Sequence, residues 1–193
     1  TLLFSMGTEN FILALGRSAP AWCVGAALGW VGIPLMGANL DVLLRGNVPL
    51  VLDEYDYKFE LGKAKLLRDG QDVLFISTGL MTMRALETAK ALAADKVDVA
   101  VLHVPTIKPL DVATILREAQ RPGRLVVVAE NHTVVGGLGE AVATLLLCNG
   151  VTPPFRQMVL PDEFLAAGAL PTLHDRYGIS CATMSARIKG WLA

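Results

Sequence analysis

Cysteine is scarce, and Cys23, Cys148 and Cys181 lie far apart with no C-x-x-C pair. Neither a disulfide framework nor a zinc site is indicated, and a reducing, cytoplasmic setting is expected. His103, His132 and His174 also lack metal-ligand spacing. Charge of one sign is missing too: the formal net charge is −1, with Lys and Arg scattered, so nothing electrostatic favours nucleic acid or an anionic membrane. Neither G-x-x-x-x-G-K-[ST] nor G-x-G-x-x-G opens a first crossover, which removes the usual nucleotide fingerprints. No internal repeat or low-complexity tract is present.

What is abundant is apolar residue, 53% against 18% charged, enough to exclude disorder and build one sizeable core. Residues 1–44 carry only Glu9, Arg17 and Asp41 as charges, and Ser18 to Leu40 carry none. That length could cross a membrane, and Gly25 and Gly29 form a small-xxx-small pair. Pro20, Pro34, Gly32, Gly37 and the lack of basic flanks argue against a span. Arg17 lies too far inside for a signal peptide. A packed, glycine-rich segment is expected instead. The start at Thr1 suggests a piece of something longer or a processed product.

From Arg45 onward acidic and basic residues are equal in number and the punctuation becomes regular. Residues 45–70 read as an extended connector, with Asp53, Glu54 and Asp56 solvated and the rings of Tyr55 and Tyr57 packed inward. Strands are expected at 72–78, 97–104, 124–129 and 155–160. A helix at 80–94 is expected to bury Met83, Leu86, Ala89 and Ala93. Others follow at 112–120, with Asp111 as N-cap, at 140–148, stopped by Asn149 and Gly150, and around 173–177, ended by Gly178. Ser180 caps the last, whose Met184, Ile188 and Trp191 share a face. Strands alternating with helices of this length imply βαβ crossovers. The expected fold is a three-layer, Rossmann-like α/β/α domain over residues 62–193, with a mostly parallel sheet of about five strands.

In such a sheet ligands gather at the carboxyl ends of the strands. Those ends hold Ser77, Thr78 and Gly79, then Lys108 beyond Pro105, then Glu130, Asn131, His132 and the glycines Gly136, Gly137 and Gly139. Helix N-termini converging there suit an anion. The glycines fit a turn that bends sharply or lets backbone approach a neighbour. Glu130 and His132 alternate along one strand end, as an acid–base pair would, but no Ser or Cys sits in a nucleophile elbow. Hydrogen bonding at the turn is the simpler expectation.

Three segments in series, RGNVPLVLDEYDYKFELGKAKLLRDGQDVLFISTGLMTMRALETAKAL, VPTIKPLD and VVVAENHTVVGGLGEAV, resemble the C-terminal domain of the transketolase family. Stand-alone C-terminal transketolase subunits, 1-deoxy-D-xylulose-5-phosphate synthase and the β-type subunits of 2-oxo acid dehydrogenases are similar through the same domain. The resemblance covers residues 45–193 and implies a domain that supports assembly and supplies no catalytic residue. Thiamine diphosphate and a divalent metal ion would sit in two other domains, one with a Gly-Asp-Gly motif and one binding the pyrimidine. Asp69, Gly70, Gln71 and Asp72 lack the Gly-Asp-Gly order. Residues 45–61 would be the tail of the pyrimidine-binding domain, whereas residues 1–44 do not resemble its body.

The resemblance thus implies an assembly domain of an enzyme that transfers ketol groups between sugar phosphates. It would be inactive without N-terminal transketolase-type domains or subunits, in a homo- or hetero-oligomer. No thiamine diphosphate would bind to this chain alone. The contacts expected for a ligand or interface are Ser77, Thr78, Gly79, Lys108, Glu130, His132, Gly136, Gly137 and Gly139. An autonomous module for a small anion or sugar phosphate, and a nonfunctional remnant, are the alternatives.

Overall fold

The computed structural model describes residues 55–193. The expectations for the apolar segment 1–44 and for residues 45–54 of the connector, Asp53 and Glu54 among them, lie outside those residues. A compact unit runs from Tyr57 to Ala193. Its elements are β1 (Lys65–Arg68), β2 (Val73–Ser77), α1 (Leu80–Ala94), β3 (Val99–His103), α2 (Val112–Ala119), β4 (Leu125–Thr133), α3 (Leu138–Cys148), β5 (Phe155–Leu160), α4 (Leu170–Arg176) and α5 (Cys181–Leu192).

The five strands lie in the order β1-β3-β2-β4-β5, with β1 antiparallel to β3 and every other pair parallel. This is the expected α/β fold with a mostly parallel sheet. β2, β3 and the first part of β4 are buried on both faces, which is why their sequences are unbroken Val/Leu/Ile/Ala runs rather than alternations. α1 leads from β2 to β3 on one side, and α2 leads back past β2 to β4 on the other. Right-handed crossovers in opposite directions place α1 on one face of the sheet and α2 and α3 on the other. Leu74, Ile76, Leu102, Val126 and Val128 accordingly pack with Ile115, Leu138, Val142 and Leu146 of α2 and α3. Alternate strand residues such as Phe75 and Val127 point to the opposite face, where α1 and α5 pack together.

Three expectations need correction. The connector reading of residues 45–70 missed β1, an edge strand whose register shifts between Leu66 and Arg68. Its KLLR sequence is too short and too charged to show a strand pattern. Helix α1 buries Met81, Thr82, Ala85, Leu86, Thr88, Ala89 and Leu92, leaving Met83 half-buried and Ala93 exposed. Two threonines occupy the core stripe, so apolar spacing alone misplaced the face. β4 continues through Thr133, which puts Glu130 and His132 on the strand rather than beyond it, and α3 starts at Leu138 rather than Glu140. Asp111 and Ser180 cap α2 and α5 as expected, accepting from Thr114 and Thr183 backbone N–H groups. Met184 and Ile188 form the buried face of α5.

The opposite, amino-terminal end of the sheet is pinned by charge. Arg124, 1% exposed, donates to Glu118 Oε2 at 3.3 Å, to Asp69 Oδ1 at 2.8 Å and to the Gly70 carbonyl. Arg121 reaches the same Asp69 at 2.7 Å, and that contact leads in holding the Asp69 carboxyl below its ordinary range. A buried arginine needs such a shell, because an unpaired charge there is strongly destabilising.

Candidate functional site

The carboxyl end of the sheet takes its geometry from the parallel register. Ser77 of β2 aligns with His103 of β3 and Ala129 of β4, so Glu130 stands one residue beyond this row. The Val104 amide donates to the Ser77 carbonyl at 2.8 Å. Ser77 is fully buried, and its hydroxyl donates to Thr82 Oγ1 at 3.1 Å on the first turn of α1. Thr82 Oγ1 in turn lies 2.8 Å from His103 Nδ1. The ring of Tyr57 meets His103 edge-on at 5.0 Å between centroids. Burial lowers the His103 pKa to about 4 and raises that of Tyr57, so both stay neutral at pH 7.

Spacing pointed to Ser77 but not to Thr82, His103 or Tyr57. Thr82 falls on the buried stripe of α1, and His103 closes a continuous apolar strand. Those positions were the available signals, because a polar residue inside such a run must find a partner.

Glu130 accounts for the glycine-rich turn. Its carboxylate, 2% exposed, accepts from the backbone N–H of Leu138 at 2.8 Å and of Gly139 at 2.7 Å. These are amides of the first turn of α3, which have no partner within the helix and lie at the positive end of its dipole. A Cβ on Gly137 would stand 2.6 Å from Glu130 Oε2, and one on Gly139 would stand 2.8 Å from Gln157 Oε1. The glycines therefore make room for two side chains of the protein itself. The Gly136 amide is also engaged, donating to Glu140 Oε2 at 2.6 Å.

The other candidates are dispersed. His132 is exposed, with Nδ1 3.1 Å from the Thr133 carbonyl, while Glu130 turns inward to the α3 amides. Thr78 is half-buried and Gly79 exposed at the N-cap of α1. Lys108 is exposed and precedes a cis-Pro109 in a loop tied to residues 62–64. The ties run from the Gly62 amide to Thr106 Oγ1 at 3.0 Å and from the Ala64 amide to Asp111 Oδ2 at 2.9 Å.

Chemically, Ser77, Thr82 and His103 bond to one another and Glu130 bonds the α3 amides, while the Tyr57 hydroxyl and Gln157 Oε1 are buried without a partner. A phosphate at α3 would need the amides that Glu130 occupies and would meet that carboxylate at close range. Among the described residues no group of three His, Cys, Asp or Glu side chains could hold a metal ion. Among the described residues, those at this strand end do not fit a diphosphate–metal cofactor.

The family model for "Transketolase, C-terminal domain" matches residues 62–184. The chain belongs to this family. An uncharacterized transketolase family protein of Sinorhizobium fredii is 71% identical over 151 residues, which are 78% of this chain and 44% of the relative. A 6-deoxy-6-sulfo-D-fructose transketolase subunit of Clostridium sp. is 40% identical over 67% of this chain and 39% of its own length. A 1-deoxy-D-xylulose-5-phosphate synthase of Heliobacterium modesticaldum is 36% identical over 72% of this chain and 21% of its own. Among solved structures, a split-gene transketolase described as an inactive beta4 tetramer superposes with a TM-score of 0.64 at 34% identity. That match covers 71% of this chain and 44% of that one. The chain thus matches less than half the length of each of these relatives. Among the described residues no helix of this transketolase C-terminal domain is long and apolar enough to cross a membrane.

Proposed function

We propose that this chain serves as the C-terminal assembly domain of a cytoplasmic, thiamine diphosphate-dependent enzyme that transfers ketol groups between sugar phosphates. Catalysis requires N-terminal transketolase-type domains, which carry the cofactor and its divalent metal ion, and the assembly is oligomeric. The observation that carries this reading is the engagement of Glu130 with the α3 amides, which fills from within the cradle that the glycine turn offered to a phosphate. Family membership and partial coverage of longer relatives support it.

The test is paired. Titration of the full chain with thiamine diphosphate and Mg²⁺ in a calorimeter is expected to give no heat of binding. Mixing with separately produced N-terminal transketolase-type domains is expected to yield a stable complex and ketol transfer. Tight cofactor binding by the chain alone would refute the assignment. The same Glu130 contacts count against an autonomous sugar-phosphate module at the glycine turn, because the α3 amides are already bonded there.

A further inference from the structure

β5 is an edge of the sheet, and among the described residues nothing pairs with its outer side. The Pro154 carbonyl accepts from the Val126 amide at 2.8 Å, so Pro154, Arg156 and Met158 turn their backbone groups toward β4. By the alternation of a parallel ladder, the N–H and C=O groups of Phe155, Gln157 and Val159 point outward. Among the described residues the Phe155 carbonyl accepts from Arg156 Nη1 at 2.9 Å, while the Phe155 amide and both backbone groups of Gln157 and Val159 make no hydrogen bond. Natural edges are usually blunted by a bulge, a proline or shortness, as β1 is by its register shift. β5 offers six residues without proline between Pro154 and Pro161.

The two sides of this edge differ in chemistry. On the α3 side a groove of 230 Å³ is lined by Leu146, Leu147, Val151 and Phe155, with Leu147 72% exposed. On the α4–α5 side Arg156 and Arg187 both lie over the Trp191 ring, at 5.9 and 5.0 Å. A wider groove of 670 Å³ beside Gln157 and Val159 adds Arg176 and Tyr177 to Arg187. No carboxylate lies within ion-pair distance of any of these three arginines among the described residues.

We propose that the outer edge of β5 is a docking site for an extended acidic–apolar peptide segment of a partner protein, which adds to the sheet as a sixth strand. Main-chain hydrogen bonds to the Phe155 amide and to both backbone groups of Gln157 and Val159 supply the pairing. Because strand side chains alternate, every second residue of the guest faces the Leu147–Phe155 groove and the others face the arginines. Charge decides the occupant: a second copy joined edge to edge would bring two Arg156–Arg187 clusters onto the same side of the joint, whereas an acidic strand neutralises them.

The test uses the full chain and a fluorescein-labelled, amide-capped (Val-Glu)₄ peptide, with (Val-Lys)₄ and a proline-interrupted (Val-Glu)₄ as controls, read by fluorescence anisotropy. Saturable binding of the acidic peptide alone, weakened about tenfold by the exposed pair R156E/R187E and abolished by Q157P, is the expected result. Because Q157P also removes the side chain that packs against Gly139 and so threatens folding, R156E/R187E carries the decision. Charge reversal on both partners, testing (Val-Lys)₄ against R156E/R187E, should restore affinity. No binding at millimolar peptide, equal binding of (Val-Lys)₄ to the unaltered chain, or indifference to R156E/R187E would overturn the proposal. So would a concentration-dependent dimer in sedimentation that excludes the peptide, since the occupant would then be a second copy.

Discussion

Replacing Glu130 by alanine removes the acceptor of two buried amides and leaves a negative-charge-sized hole at the start of α3. Each buried donor left unsatisfied costs about 1–3 kcal/mol, and losing a carboxylate at a helix N-terminus adds about 0.3–1 kcal/mol. The sum, about 2–7 kcal/mol, is a large part of the ~5–15 kcal/mol that holds a typical domain together. E130Q keeps one acceptor but turns an NH₂ toward the other amide, so about half that loss is expected. Urea denaturation followed by circular dichroism reads the difference as a lower midpoint at unchanged slope. Acetate or phosphate entering the vacated site should partly restore E130A, while the unaltered chain gains nothing from either anion. If E130Q unfolds within about 0.5 kcal/mol of the unaltered chain, or if phosphate stabilises the unaltered chain, Glu130 is not an internal anion and the reading of the glycine turn fails.

The same geometry predicts that G137A drives a Cβ into the Glu130 carboxylate and costs about 1–3 kcal/mol. Adding E130A should relieve that clash, so that the double variant is more stable than additivity predicts in a double-mutant cycle. His103, with its folded pKa near 4 below the usual value of 6.5, stays neutral while the unfolded chain takes up a proton. Its contribution is therefore fully present above pH 6.5 and lost as pH falls toward 4, by about 3 kcal/mol at most. H103Q should flatten that part of the stability-versus-pH curve; an unchanged curve would refute the assignment. E118Q weakens the shell of the buried Arg124 and is expected to cost about 3–5 kcal/mol, seen as a lowered thermal midpoint. D111A removes the cap of α2 and the tether of Ala64 together, at about 1–2 kcal/mol, and hydrogen exchange should speed at both the Thr114 and Ala64 amides.

Much of this was legible in the order of residues. Val/Leu runs halted by glycine and proline marked β2, β3 and β4 because strands buried on both faces need no polar alternation. Asp111 and Ser180 announced helix starts through local hydrogen bonds that any helix would use. β1 was not legible, because four residues of KLLR become a strand only when β3 supplies the partner. The buried face of α1 was misjudged because Thr82 and Thr88 reach core positions that apolar spacing does not mark.

At the glycine turn the division is clearest. The residues alone determined that backbone bends or approaches something between Gly136 and Gly139, since only glycine lacks the Cβ that forbids it. Tertiary structure decided what approaches. Glu130 reaches across from β4 to the α3 amides, and Gln157 comes from β5, which joins the sheet on the far side of β4. A local pattern records the space that a contact needs, while the partner filling it comes from strand pairing between segments distant in the chain.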